Sequence, residues 1–214
     1  MKNNLKKNLK AGFTIVEIVV VLFIFTVISR VILFHYKDFD QRVVLDTTAQ
    51  DIGLLMRKAQ SESVNGRYPI LEANQFHPAS DWKPSYGVFV DPQAQQFFFF
   101  YDGDNDTIPF NMDASVCENP NIPTECLDFY EIVGTNQIGE ACFEAIDGSC
   151  AQAVNNFAII FQRPFPDANI FYNYTLPFGL GTPGTSTIKL EIKGPNGSRY
   201  IRISPLGQIS VLGA

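Results

Sequence analysis

Residues Lys10 to Phe23 read KAGFTIVEIVVVLF, an apolar run that opens just after a glycine and holds one carboxylate, Glu17, near its start. The run continues to Phe34, 22 residues in all, which as a helix spans about 33 Å, enough for a hydrocarbon core of about 30 Å. Lys2, Lys6, Lys7 and Lys10 precede it without an acid among them. The positive-inside rule therefore leaves residues 1–12 in the cytoplasm and sends the remainder outward. A secretory signal peptide shares the basic start and apolar middle, and would be cut near Val27-Ile28-Ser29. Two features argue against it. An acid in such a segment costs about 2.5 to 3.5 kcal/mol on insertion scales, and the apolar pattern continues past Arg30 through Val31, Ile32, Leu33 and Phe34.

Working outward, the apolar pattern changes period. Leu45, Ala49, Ile52, Met56 and Ala59 recur every three or four residues, with Asp46, Asp51, Arg57, Lys58 and Glu62 on other faces, the signature of an amphipathic helix. No proline precedes residue 69. One helix is therefore expected from about Phe13 to Val64, with Asn65-Gly66 as its stop. Beyond Tyr68 the pattern turns strand-like at Tyr86 to Val90, Phe97 to Tyr101, Phe157 to Gln162 and Ile170 to Tyr174, each bounded by turn residues. FFFF at Phe97 to Phe100 reads as a core strand rather than a ligand platform. Near the C-terminus Ile188, Leu190 and Ile192 alternate with Lys189, Glu191 and Lys193, and Ile201 and Ile203 flank Arg202. With Ile209 to Leu212 these predict an antiparallel meander.

The fold class is thus α+β: a long helix followed by an antiparallel β-rich domain. The expected domains are a basic leader (1–12), a transmembrane half-helix (13–34), an amphipathic half-helix (35–66) and a globular domain (67–214). Within that domain, about 103–156 is expected to be an irregular, disulfide-braced acidic insertion.

Composition narrows the function classes. The chain of 214 residues is 46% hydrophobic and 18% charged, with net charge −6, so it can bury a real core. Removing the four leader lysines would take the charge to −10 (−6 minus 4). That acidic body argues against broad nucleic-acid affinity. Cys117, Cys126, Cys142 and Cys150 form no CxxC pair. An even count behind an export-like N-terminus points to disulfides in an oxidising compartment rather than zinc. Of the three connectivities, sequence does not choose; local pairing, Cys117 with Cys126 and Cys142 with Cys150, is the expectation.

Gly12, Phe13 and Glu17 in AGFTIVEIVVVLF resemble the processing site of type IV prepilins and type II secretion pseudopilins. The resemblance implies a leader cut after Gly12 by a prepilin peptidase, methylation of the new Phe13 amine, and an apolar helix held first in the cytoplasmic membrane and later in a filament. Glu17 matches the family's acid near the new N-terminus, a device for registering subunits. The implied fold is pilin-like, in a strand-heavy form similar to H-type and T-type minor members, and the implied function is a minor pilin or pseudopilin with other subunits as partners. The residues near Thr26 and Phe34 depart from the Gly or Pro many members place there, which leaves an assembly-linked melting of the helix without a sequence signal.

Little else carries chemistry. With histidines only at 35 and 77 and no GxSxG, Walker loop, GxGxxG or HExxH, no catalytic residue is nominated and an enzyme is not expected. Between Lys83 and Arg163 lie twelve acids and no base. Asp102, Asp104, Asp106 and Asp113 imitate the oxygen spacing of a calcium loop, although Thr107 stands where Gly is needed; a solvated turn is the competing reading, and no other cofactor is implied. Lys189, Lys193, Arg199 and Arg202 leave the last strands locally basic, which keeps a DNA-uptake minor pilin as an alternative to a plain solvated sheet face. A secreted β-domain enzyme released by ordinary signal cleavage is the other alternative.

Overall fold

A computed structural model describes residues 12–67, 83, 85–103, 106, 109, 112–117, 124–132, 134–163, 165–173 and 182–213. The chain divides into two units, residues 1–40 and 41–214.

Helix α1 runs from Ile15 to Asn65, as the absence of proline and the two apolar patterns require. Its end is a Schellman motif: Gly66, at φ 62°, donates its N–H to Ser63 O at 3.0 Å, and Arg67 donates to Glu62 O at 3.3 Å. The left-handed conformation is why glycine stands there. In the second unit Leu45, Ala49, Ile52, Met56 and Ala59 are each at most 2% exposed, so the predicted stripe is the buried one. Each of its large members contributes about 1.5 to 3 kcal/mol by leaving water.

Two antiparallel sheets form among the described residues. One has the order β3 (Cys126–Glu131), β2 (Gln96–Tyr101), β1 (Ser85–Asp91), β6 (Phe157–Gln162), β7 (Ala168–Tyr172), β8 (Thr182–Gly184), and the other β11 (Ile209–Gly213), β10 (Gly197–Ile203), β9 (Ile188–Gly194), β4 (Gln137–Glu144), β5 (Cys150–Val154). In the first sheet, β1 (Ser85–Asp91) and β2 (Gln96–Tyr101) make a hairpin, and β1 also pairs β6 (Phe157–Gln162). Beyond β6 lie β7 (Ala168–Tyr172) and the edge strand β8 (Thr182–Gly184). In the second, β9 (Ile188–Gly194), β10 (Gly197–Ile203) and β11 (Ile209–Gly213) form the expected meander.

The described part of the insertion at 103–156 is largely strand rather than irregular, and that expectation is corrected. It supplies β3 (Cys126–Glu131) to the edge of the first sheet, and β4 (Gln137–Glu144) and β5 (Cys150–Val154) to the second, where β4 pairs β9. The short helix α2 (Ala114–Cys117) lies in the same region.

The central strands of the first sheet, β1, β2 and β6, are buried on both faces, which explains why FFFF does not alternate with polar residues. Phe97, Phe99 and Tyr101 join Val88, Ile159 and the α1 stripe in the main core, while Phe98 and Phe100 join Phe89, Ile160, Met112 and Cys126 in a second one. Gly87 sits between strands so tightly that a Cβ there would lie 2.6 Å from the Phe100 ring and 2.7 Å from Ile159 O.

Candidate functional site

The candidate site is the start of α1. Gly12, Phe13 and Thr14 precede the helix, and Thr14 caps it: its Oγ1 accepts the Glu17 N–H at 3.2 Å and its carbonyl accepts the Ile18 N–H at 3.3 Å. Thr-x-x-Glu is the capping-box spacing, and an acid in the first turn is favoured by the positive end of the helix dipole. Glu17 therefore helps to begin this helix. Phe13 is 81% exposed, and a Cβ on Gly12 would meet nothing within 4 Å. Nothing in the described chain itself demands glycine at position 12.

From Ile15 to Leu33 the helix has a mean hydropathy of 2.6 over 19 residues, and none of that stretch is buried by the chain. By length and composition it is apolar enough to cross a membrane. Its charged residues are Glu17 and Arg30, both exposed.

All four cysteines are paired, Cys117 with Cys126 and Cys142 with Cys150, the local connectivity expected. The first disulfide ties α2 to β3 over the second core; the second closes the turn between β4 and β5.

The acidic loop is placed only in part, because Asp104 lies outside the described residues. Asp102 is buried, and its Oδ1 accepts the Asp106 N–H at 3.1 Å. The neighbouring Gly103 N–H goes to Glu125 Oε1 at 2.7 Å, while Asp113 Oδ1 accepts the Ser115 N–H at 2.8 Å. Among the described residues no group of three or more His, Cys, Asp or Glu side chains is arranged to hold a metal. His77 and the side chain of His35 also lie outside the described residues.

The four basic residues of the last strands do not form one strip. The register places Arg202 opposite Lys189 and Ser198 opposite Lys193, on one face, but Arg199 opposite buried Ile192 on the other. Arg199 there pairs with Asp46 of α1, and Arg202 pairs with Glu144 through Nε at 2.8 Å. Lys189 lies 4.4 Å over the Tyr200 ring. Two of the four charges are thus matched by acids within the fold. The sequence placed these residues on alternating positions but carried no signal for their acidic partners, which come from elements 58 and 153 residues away.

Two tyrosines report on the helix–sheet interface. Burial raises Tyr86, with Glu62 adding to the shift and Arg67 opposing it; its hydroxyl donates to Arg67 O at 2.7 Å. Burial likewise raises Tyr130, with Asp51 adding and a side-chain hydrogen bond with Thr48 opposing.

Comparison with known proteins finds no matching family model, no matching curated protein and no matching solved structure.

Proposed function

We propose that this chain is a structural subunit of a membrane-derived filament, anchored by the first half of α1 with its β-rich domain on the outer side. Within that class the reading is a minor pilin or type II secretion pseudopilin, cut after Gly12 and assembled through its N-terminal helix rather than acting as a catalyst. One observation carries it. A long apolar helix that its own chain leaves wholly unburied begins directly after an exposed Gly12-Phe13-Thr14 segment and bears an acid in its first turn. A soluble protein has no use for such a surface, and a glycine that the chain's own packing does not require suits recognition by a processing enzyme that needs close approach to the backbone.

Glu17 then has a role outside its own chain. After cleavage the Phe13 amine and Glu17 stand about one turn apart. In an apolar filament core a charge without its partner is costly, so pairing Glu17 with a neighbour's amine would fix subunit register. The pairing of Arg199 and Arg202 with acids favours this reading over DNA uptake.

N-terminal mass spectrometry tests the proposal. A mature chain starting at methylated Phe13, and its loss in Gly12→Val with the domain's stability unchanged, is the expected result. A start near Arg30 would overturn it in favour of an ordinary secreted protein. Glu17→Leu is expected to be inserted and cleaved but poorly incorporated into filaments.

A further inference from the structure

The turn between β4 and β5 carries the most exposed large apolar side chain among the described residues. Ile146 is fully exposed, at 111%, beside Asp147-Gly148-Ser149, which are of the polar kind that turns favour. A lone exposed isoleucine is ordinary, but this one stands on a turn held at its base and across its loop. The Cys142–Cys150 disulfide closes the base. Ala145 donates its N–H to Ser149 O at 2.8 Å and Gly148 donates to Ala145 O at 3.0 Å. Asp147 Oδ1 accepts the Ser149 N–H at 3.0 Å, and Lys189 Nζ donates to Gly148 O at 3.4 Å. A side chain presented on so well-tied a turn has little freedom left to lose on binding.

The same domain has an open apolar recess elsewhere. A groove of about 530 Å³ between α1 and β3 is lined by Leu54, Leu55, Phe129 and Tyr130, together with the exposed charges Asp51, Lys58 and Asp128. Leu54 is 57% exposed, and the other three apolar residues are half-buried, so the chain's own packing leaves the groove uncovered. Ile146, fully exposed, does not fill the groove of its own chain.

We propose that the Ile146 turn of one copy docks in the α1–β3 groove of a second copy, with Ile146 against Leu54 and Phe129. The proposal rests on the filament reading, which supplies many copies, and adds a contact between their β-rich domains; the pairing of Glu17 with a neighbour's Phe13 amine is left as it stands. The occupant is a second copy because one chain carries both halves of the fit, a projecting apolar side chain and an open apolar recess, at different places on its surface. Such a contact is heterologous. Every pairing leaves one turn and one groove unused at its ends, so copies add in one direction and do not close as a twofold dimer. Charge contributes little, since Asp147 beside the tip meets a groove with two acids and one base, and that base already pairs with Asp128 at 3.7 Å. The contact is apolar and is expected to persist at high salt.

Cross-linking of full-length chain in the membranes and sheared filaments of producing cells tests this. The native cysteines are all disulfide-bonded, and a bismaleimide spares them. Copies with Ile146→Cys and copies with Leu54→Cys, produced together, are expected to give about tenfold more covalent dimer than either variant produced alone. Ile146→Lys and Leu54→Glu should each lower incorporation into filaments about tenfold. The two together in every copy should restore it, now in a salt-sensitive form. Both side chains are exposed, so each variant should unfold in urea as the wild type does, which separates loss of the contact from loss of the fold.

Equal dimer yields in the mixed and single-variant cells overturn the inference. So does an adduct of the Ile146→Cys chain with a different protein, or wild-type incorporation of Ile146→Lys. In each of these cases a chain that matures to Phe13 and enters filaments leaves the filament reading standing. An uncleaved chain found in no filament overturns both.

Discussion

The two halves of α1 share one backbone and are made for opposite surroundings. Between Ile15 and Leu33 the side chains are exposed or nearly so on every face; between Leu45 and Ala59 one stripe is wholly buried and the other faces carry charge. The first is rich in valine and isoleucine, which are mediocre helix formers in water. In hydrocarbon the backbone has no alternative to its own hydrogen bonds, so the helix forms regardless. The second half depends on packing: its stripe is continuous with both sheets, and Ser63 Oγ donates to Phe161 O at 2.7 Å near its end. On the proposed membrane placement, the same secondary structure is thus imposed by solvent in one half, and by tertiary contacts in the other.

Mutating equivalent apolar residues in the two halves would break that comparison most visibly. Met56→Ala should cost about 2 to 5 kcal/mol by leaving a cavity under the sheets, whereas Val20→Ala should leave denaturant unfolding of the domain unchanged. Urea titration of the full chain in detergent measures both. Similar losses for the two would mean that the first half of α1 also packs within its own chain.

The disulfides sharpen the contrast between a surface stapled by chemistry and one held by packing. Closing loops of nine and eight residues is worth about 2.5 kcal/mol each on the chain-entropy account. Replacing Cys117 and Cys126 by serine should cost more than replacing Cys142 and Cys150, because the first pair also holds α2 over the second core while β4 and β5 remain paired without the second. Denaturant midpoints of the two double variants rank them; the reverse order would remove α2 from any structural role.

A smaller effect is expected at Gly87. Its added methyl would press on the Phe100 ring and the Ile159 carbonyl, so Gly87→Ala should cost about 1 to 3 kcal/mol. Thermal unfolding of the full chain checks it, and a neutral result would show that β1 and β6 can separate without penalty.

The smallest effect is a pH dependence. Tyr86 has its pKa raised by burial, so folding favours its protonated form. The resulting stability is fully present below the ordinary tyrosine value of about 10 and is lost as pH rises through the folded value. Tyr86→Phe should flatten that alkaline loss, at the expense of about 1 kcal/mol at neutral pH from the hydrogen bond to Arg67 O. An unaltered alkaline limb would assign it to Tyr130 or to other groups.

By itself the sequence determined the elements whose cause is local. A helix was legible from about Phe13 to Val64, against Ile15 to Asn65 in the fold, because hydrophobic period, absent proline and the Asn65-Gly66 stop act over a few residues each. The meander was legible because alternation and turns are equally local. At Gly12 to Glu17 the sequence supplied a resemblance, and the Thr14 cap adds a physical reason for an acid at position 17. Tertiary structure alone decided the rest. Strand β4 was hidden because a bulge lies between Ile138 and Ala141, so the residues it sends into the main core, Ile138, Ala141 and Phe143, follow a spacing of three and then two. Its partner β9 lies some 50 residues on. The basic residues of the last strands were separated by register, which turned Arg199 inward to Asp46. Phe97 to Phe100 could be read as a core strand, but not as one with a core on each side. The covering residues, Met112 and Cys126 among them, reach it only once the chain has folded back, and a local pattern records which side chains are apolar without recording what comes to lie over them.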